Sequence, residues 1–288
     1  VGVNSVQISP DFARSIVFTD PTEVNILTLP TDLETTVQRT FNLTAAKGSA
    51  ITLPSGQVAE KAFRGISTKQ AELISSQIRI GITEGESIPK IAKRLRGRLQ
   101  FGANQEMTAK AQRLAAGDGM KLANNQVMTI VRTSVNQVQN SVNQETYAAN
   151  QEVTQRYEYV ATLDARTSAI CGSLDGRIFK YGEGPMPPQH FNCRSTTVPI
   201  IDDEDLRRRF PDTRPSATGR VPQGMNYASW LKDNPSIQTD ALGNKKRFFN
   251  YLIDKKRKSP REALRLIIKD DGTELPLKEL IKKYPNAT

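Results

Sequence analysis

Both cysteines and the only histidine of this 288-residue chain fall between Cys171 and Cys193. Two segments carry them, DARTSAICGSLDGRIF at 164–179 and PPQHFNCRSTTVP at 187–199. The runs beside them, RYEYVATLD, GRIFKY and STTVPII, are β-branched and aromatic, which suits short strands. A strand, a turn and a returning segment must converge if so short a piece is to enclose any core. Such a unit buries too little apolar surface to hold the Pro- and Gly-rich loop at 181–193 by burial alone, so polar contacts or an ion must help. The spacing therefore predicts that Cys171, His190 and Cys193 lie close together.

The rest of the chain reads differently on either side. Residues 1–56 carry four prolines and no helical period longer than a turn, so they read as an extended arm or cap. From 57 to 155 the pattern is helical. STKQAELISSQIRIGI and SIPKIAKRLRGRL each space apolar residues as an amphipathic helix does, with Ser87 as N-cap and Pro89 in the first turn. AAGDGM breaks the pattern at Gly117 and Gly119, and a longer helix starts near Leu122. On that helix Val131, Val135, Val138 and Val142 form a narrow apolar seam among Asn, Gln, Ser and Thr. The seam is suited to a partner subunit or a second copy, or to an intramolecular hairpin. Residues 156–202 make the compact motif unit and 203–288 a basic helical tail. The fold class is α+β, with a mainly helical N-terminal half and a small sheet of short strands.

Charge narrows the function. The chain carries a formal +10, most of it beyond residue 200. Within NKKRFFNYLIDKKRK, Lys245, Lys246 and Arg247 stand beside Phe248, Phe249 and Tyr251, followed by Lys255, Lys256, Arg257 and Lys258. Cations interleaved with aromatics suit phosphate contact and base stacking, or else a helix with a solvated basic face. No apolar run is long enough to span a membrane and no secretory signal opens the chain. It reads as a soluble protein made in a reducing cytosol. No glycine-rich phosphate loop occurs, which excludes a nucleotide-driven motor.

The order of elements resembles the phage Mu protein F-like minor head protein family, also called phage head morphogenesis proteins. The resemblance rests on Arg132 and Thr133 on a helix, then Asp164, Arg166 and Thr167, Cys171, Asp175 and Gly176, Pro187 and Pro188, and His190, Asn192, Cys193 and Arg194. YASWLKDNP (227–235), Leu242 with Gly243, and DDGTELPLKEL (270–280) resemble the tail that follows the motif in many members. The likeness covers roughly residues 60–285. It implies a minor component inside the head, associated with portal protein and other head proteins, and in some cases carried into the host with the DNA.

One departure bears on chemistry. Family members often have further cysteines where this chain has Ser168 and Ser195, giving a cluster rich enough for zinc. What remains is Cys171, His190 and Cys193, with Asp164 or Asp175 to complete four ligands. The constellation is thus open between a hydrogen-bonded core with no cofactor, one structural zinc, and a Cys171–Cys193 disulfide. Without metal, Asp164 is placed to accept from the backbone of the Arg166–Thr167 turn. Gly176 after Asp175 makes a tight turn, and Arg194 can form a two-pronged pair with Asp164 or Asp175. A thiol nucleophile with His190 lacks an orienting partner, and a metal-dependent nuclease on His190, Asp164 and Asp175 lacks a second base.

The expected function is a non-enzymatic minor capsid protein of a tailed bacteriophage. It would sit inside the capsid near the portal, be assembled in the host cytoplasm, and act in head assembly and genome packaging. The alternative is a nonspecific DNA-binding protein packaged and ejected with double-stranded DNA.

Overall fold

The computed structural model describes residues 76–101 without 79 and 83, 124–201, and 212–287 without 271. The arm expected over 1–56, most of the STKQAELISSQIRIGI helix and the break at Gly117 and Gly119 lie outside the described residues. The chain divides into two compact units. One takes in residues before Tyr147 together with His190–Asn192, and the other takes in the remainder.

The first unit is helical. Helix α1 spans Ile88–Phe101 and helix α2 spans Asn124–Ala148. Ile91, Ala92 and Leu95 of α1 recur at helical spacing and are buried with Ile78, Ile130, Val131 and Val138. Val135 and Val142 are partly buried against the same cluster. Val131 and Val138 of the seam are therefore covered by the chain's own residues, while Val135 and Val142 keep part of their surface open. Periodicity shows which face is apolar but not what covers it. Helix α2 also buries polar residues. The Thr133 hydroxyl donates to the Thr129 carbonyl (2.8 Å), the Asn140 amide to Asn136, and the Thr146 hydroxyl to Val142. Each bond runs back one turn, which gives each of these donors a partner without leaving the helix. Thr133 Oγ1 also accepts from the Asn192 N–H at 3.0 Å. That bond holds Asn192 in a left-handed conformation, φ 59°.

The second unit is α+β. Strands β1 (Arg156–Val160), β2 (Ile178–Lys180) and β3 (Thr196–Ile200) form an antiparallel sheet in the order β2-β1-β3. Tyr157 stands opposite Phe179 and Pro199, and Tyr159 opposite Thr197. Period-two alternation along β1 buries Tyr157 and Tyr159 completely. Between β1 and β2 the short helix α3 (Ala169–Leu174) is capped by Ser168, whose hydroxyl accepts from the Cys171 N–H. Polar contacts help to hold the loop that follows β2: Tyr157 donates to the Pro185 carbonyl and Tyr181 to the Arg156 carbonyl, with the two rings stacked 6.1 Å apart.

A hairpin of β4 (Thr213–Ser216) and β5 (Gly219–Pro222) follows, joined to the motif segment by a bridge between Leu163 and Ser216. Five helices follow among the described residues: α4 (Tyr227–Asp233), α5 (Pro235–Leu242), α6 (Lys246–Asp254), α7 (Pro260–Arg265) and α8 (Leu277–Lys283). Their starts are written in the sequence. Asn226 caps α4, Pro235 opens α5, and Ser259 with Glu262 forms a capping box on α7. Tyr227, Trp230, Leu231, Phe248, Phe249, Leu252, Leu264 and Leu280 make their core, and Leu163 and Ala169 of the motif segment lie in it too. Gly172 of α3 packs so closely that a Cβ there would overlap the Tyr227 ring. The described helices after residue 226 are accordingly not a separate tail, because Leu163 and Ala169 of the motif segment share their core.

Candidate functional site

The site is built on two aspartates and two cysteines that the second unit brings together. Asp164 ends the segment leaving β1. Its Oδ1 accepts from the Arg166 N–H (2.9 Å), which closes the turn. Arg194, just before β3, forks onto the carboxylate with Nη1 and Nη2 each 2.6 Å from an oxygen. Burial acts to raise the Asp164 carboxyl, but the Arg194 hydrogen bonds and charge outweigh it and hold the group below the usual range. Arg166 itself is exposed and 3.6 Å from the carboxylate. The Thr167 hydroxyl bonds the Thr162 carbonyl.

Asp175 is fully buried. Oδ1 accepts from the Ala161 N–H at 2.7 Å and Oδ2 from the Tyr227 N–H at 2.6 Å. The guanidinium of Arg214 on β4 bonds both oxygens and also reaches the carbonyls of Ala161 and Met225. Burial pushes the Asp175 carboxyl up, while Arg214 and the two backbone N–H groups pull it back. The next residue, Gly176, turns the chain at φ 73°, and its N–H bonds the Tyr159 carbonyl. Arg261 of α7 donates to the Asp175 carbonyl at 2.7 Å. One carboxylate thus ties β1, the turn, the hairpin and the start of α4. Sequence reasoning offered Arg194 to either aspartate and missed Arg214 altogether. No local signal marks Arg214, which lies far along the chain in a stretch read as tail.

The sulfur atoms of Cys171 and Cys193 lie 3.6 Å apart, both buried. The Tyr159 hydroxyl donates to Cys171 Sγ at 3.2 Å. The shared hydrogen bond with Cys193, then burial, push the Cys171 thiol well above its ordinary range. A thiol so held stays protonated and is a poor nucleophile. His190, the third ligand the sequence suggested, belongs to the first unit, whereas both cysteines belong to the second. Two sulfurs on one tetrahedral zinc stand about 3.8 Å apart, given Zn–S near 2.3 Å, so the separation and the donor types fit that ion. The fourth donor does not. Asp164 is committed to Arg194 and Asp175 to Arg214, so neither aspartate fills the position the sequence reading gave it. Ser168 is occupied as a helix cap.

The basic residues separate into two groups. Lys245 is paired with Glu274, Lys246 donates to Thr239, and Arg247 lies over the Phe248 ring. Lys255, Lys256, Arg257 and Lys258 are exposed on the turn between α6 and α7. Phe248 and Phe249, read as candidates to stack on bases, are wholly buried and cannot.

Residues 72–198 match the model of the family described as Phage Mu protein F like protein. This span contains the whole constellation from Thr133 to Arg194, so the likeness to that family rests on the residues of the site itself. A protein of Haemophilus influenzae described as an uncharacterized protein is 28% identical over 90 residues, a stretch that makes up 30% of this chain and 19% of that protein. No solved structure matches. Among the described residues no helix is long and apolar enough to cross a membrane.

Proposed function

We propose that this chain is a minor capsid protein of a tailed bacteriophage, held inside the head near the portal and acting in head assembly and genome packaging. Portal protein, other head proteins and packaged double-stranded DNA are its partners. The observation that carries this reading is the domain match over residues 72–198. The use its motif residues are put to is consistent with it: the charged members clamp the chain to itself in Asp164–Arg194 and Asp175–Arg214. Side chains spent on such pairs serve a scaffold better than a reaction. A nuclease built on the same aspartates loses support, because both carboxylates are bound by arginine. A zinc ion, if loaded, would be held by the thiolates of Cys171 and Cys193 and would supply cross-linking of the return segment. The thiols and Tyr159 already bond one another without it. The test is photo-crosslinking in assembling particles, where adducts to portal or other head proteins support the role and adducts confined to cytosolic host proteins contradict it.

A packaged DNA-binding protein is the second reading, favoured by the exposed cations at 255–258. It is compatible with the first, since a protein inside a filled head faces DNA.

A further inference from the structure

We infer that the turn Lys255–Lys258 is a preformed contact for the phosphate backbone of duplex nucleic acid, and that the neighbouring cations 245–247 take no part in it. The inference rests on the DNA-binding reading and deepens it by naming the surface.

The turn is rigid. The N–H groups of Lys255 and Lys256 both bond the Tyr251 carbonyl, and that of Lys258 bonds the Leu252 carbonyl at 3.0 Å. The helices on either side are anchored by Phe248, Phe249, Leu252, Ala263 and Leu264, all buried, and the capping box of Ser259 and Glu262 fixes the exit. The backbone that carries four consecutive cations is therefore fixed by the fold, so less backbone ordering entropy is lost on binding than in a mobile tail. Among the described residues none of the four makes an ion pair, whereas Lys245 is neutralised by Glu274.

Arg257 adds a second observation. It sits at φ 54°, a left-handed conformation that a helix end usually gives to glycine or asparagine. A side chain that fits its backbone poorly, yet projects a charge into solvent at the centre of the run, is consistent with selection for that charge. The kind of partner follows from what the turn lacks. Residues 254–259 include no apolar side chain, so the surface has none of the apolar centre typical of a protein interface. Phe248 and Phe249 are buried and Tyr251 lies under Lys256, so no ring is offered to unstacked bases. Charge alone remains, which suits sequence-independent contact with phosphates.

The experiment measures binding of the full chain to a fluorescent 30-base-pair duplex over a salt series. Three variants accompany it: Lys255→Gln/Lys256→Gln/Arg257→Gln/Lys258→Gln, Lys245→Gln/Lys246→Gln/Arg247→Gln, and Arg257→Gly. The quadruple change should flatten the log–log salt slope by about 2 or more, since each phosphate contact contributes about 0.9. The triple change should leave the slope within about 0.5 of the wild type. Arg257→Gly should weaken binding while leaving the melting temperature unchanged or higher, which separates the charge from the fold. If the wild type shows no salt-dependent binding, the DNA reading itself fails. If it binds and the quadruple variant keeps its slope, DNA binding stands and the assignment to this turn is overturned. Equally tight, quadruple-sensitive binding of polyglutamate would assign the turn to an acidic protein surface and overturn the inference likewise.

Discussion

The carboxylate of Asp175, fully buried, and the guanidinium of Arg214, nearly so, meet at 3.1 Å. The pair closes a loop of chain that begins in the motif and ends in the hairpin beyond it, and the same carboxylate fixes the first N–H of α4. Removing one partner strands the other charge in the interior, which costs about 3–5 kcal/mol. Asp175→Ala and Arg214→Ala should each cost that much in urea titration. The double change should cost clearly less than the sum of the two, because no lone charge is left behind.

The Asp164–Arg194 pair makes an acid-side prediction. The folded-state pKa of Asp164 lies below its unfolded value. The pair's stabilisation is therefore present above the unfolded pKa, near 4, and is lost as pH falls through the lower folded value. The melting temperature of the wild type should drop more steeply between about pH 5 and pH 2.5 than that of Arg194→Gln. Parallel curves for the two proteins would show that Arg194 does not set this titration.

Val138 tests whether the valine seam serves the chain's own core. It is buried among Ile78, Ile91 and Leu95. Val138→Asp places a lone carboxylate in that core and should cost roughly 3 kcal/mol or more, with loss of helical circular dichroism in the isolated protein. A variant that keeps its helical signal and fails only in assembly would return the seam to a partner.

For the cysteine pair the expected outcome is a hydrogen-bonded core. Cys171→Ser should cost about 1–2 kcal/mol, and chelator should leave the melting temperature unchanged. Stoichiometric zinc in the purified protein, with unfolding on chelation, would identify the group as a structural metal site instead.

What the sequence revealed and what it hid follow from the range of each interaction. Asp164, Cys171, Cys193 and Arg194 could be grouped because a strand, a turn and a return segment close over one short stretch. Gly176 in its turn is a local feature, legible from residue type alone, whereas the cap that Ser168 makes on α3 was not read, because the short helix lies in a stretch read as loop. Arg214 was not legible: a buried aspartate demands a cation, but nothing in the pattern says which of many arginines lies across the fold. Phe248 and Phe249 were visible as aromatics beside basic residues, yet the pattern is the same whether the rings face a core or a ligand. The surrounding helices decide that, and here they enclose them. The supposed tail was misjudged for the same reason, since Leu163 and Ala169 share a core with helices far along the chain.

The most direct test of the proposed role is protease protection in intact, DNA-filled heads, with this chain quantified by mass spectrometry before and after protease treatment. A minor capsid protein inside the head must copurify with the particles at constant stoichiometry and survive protease until the heads are opened. Absence from purified heads, or complete digestion while they remain intact, would contradict that placement.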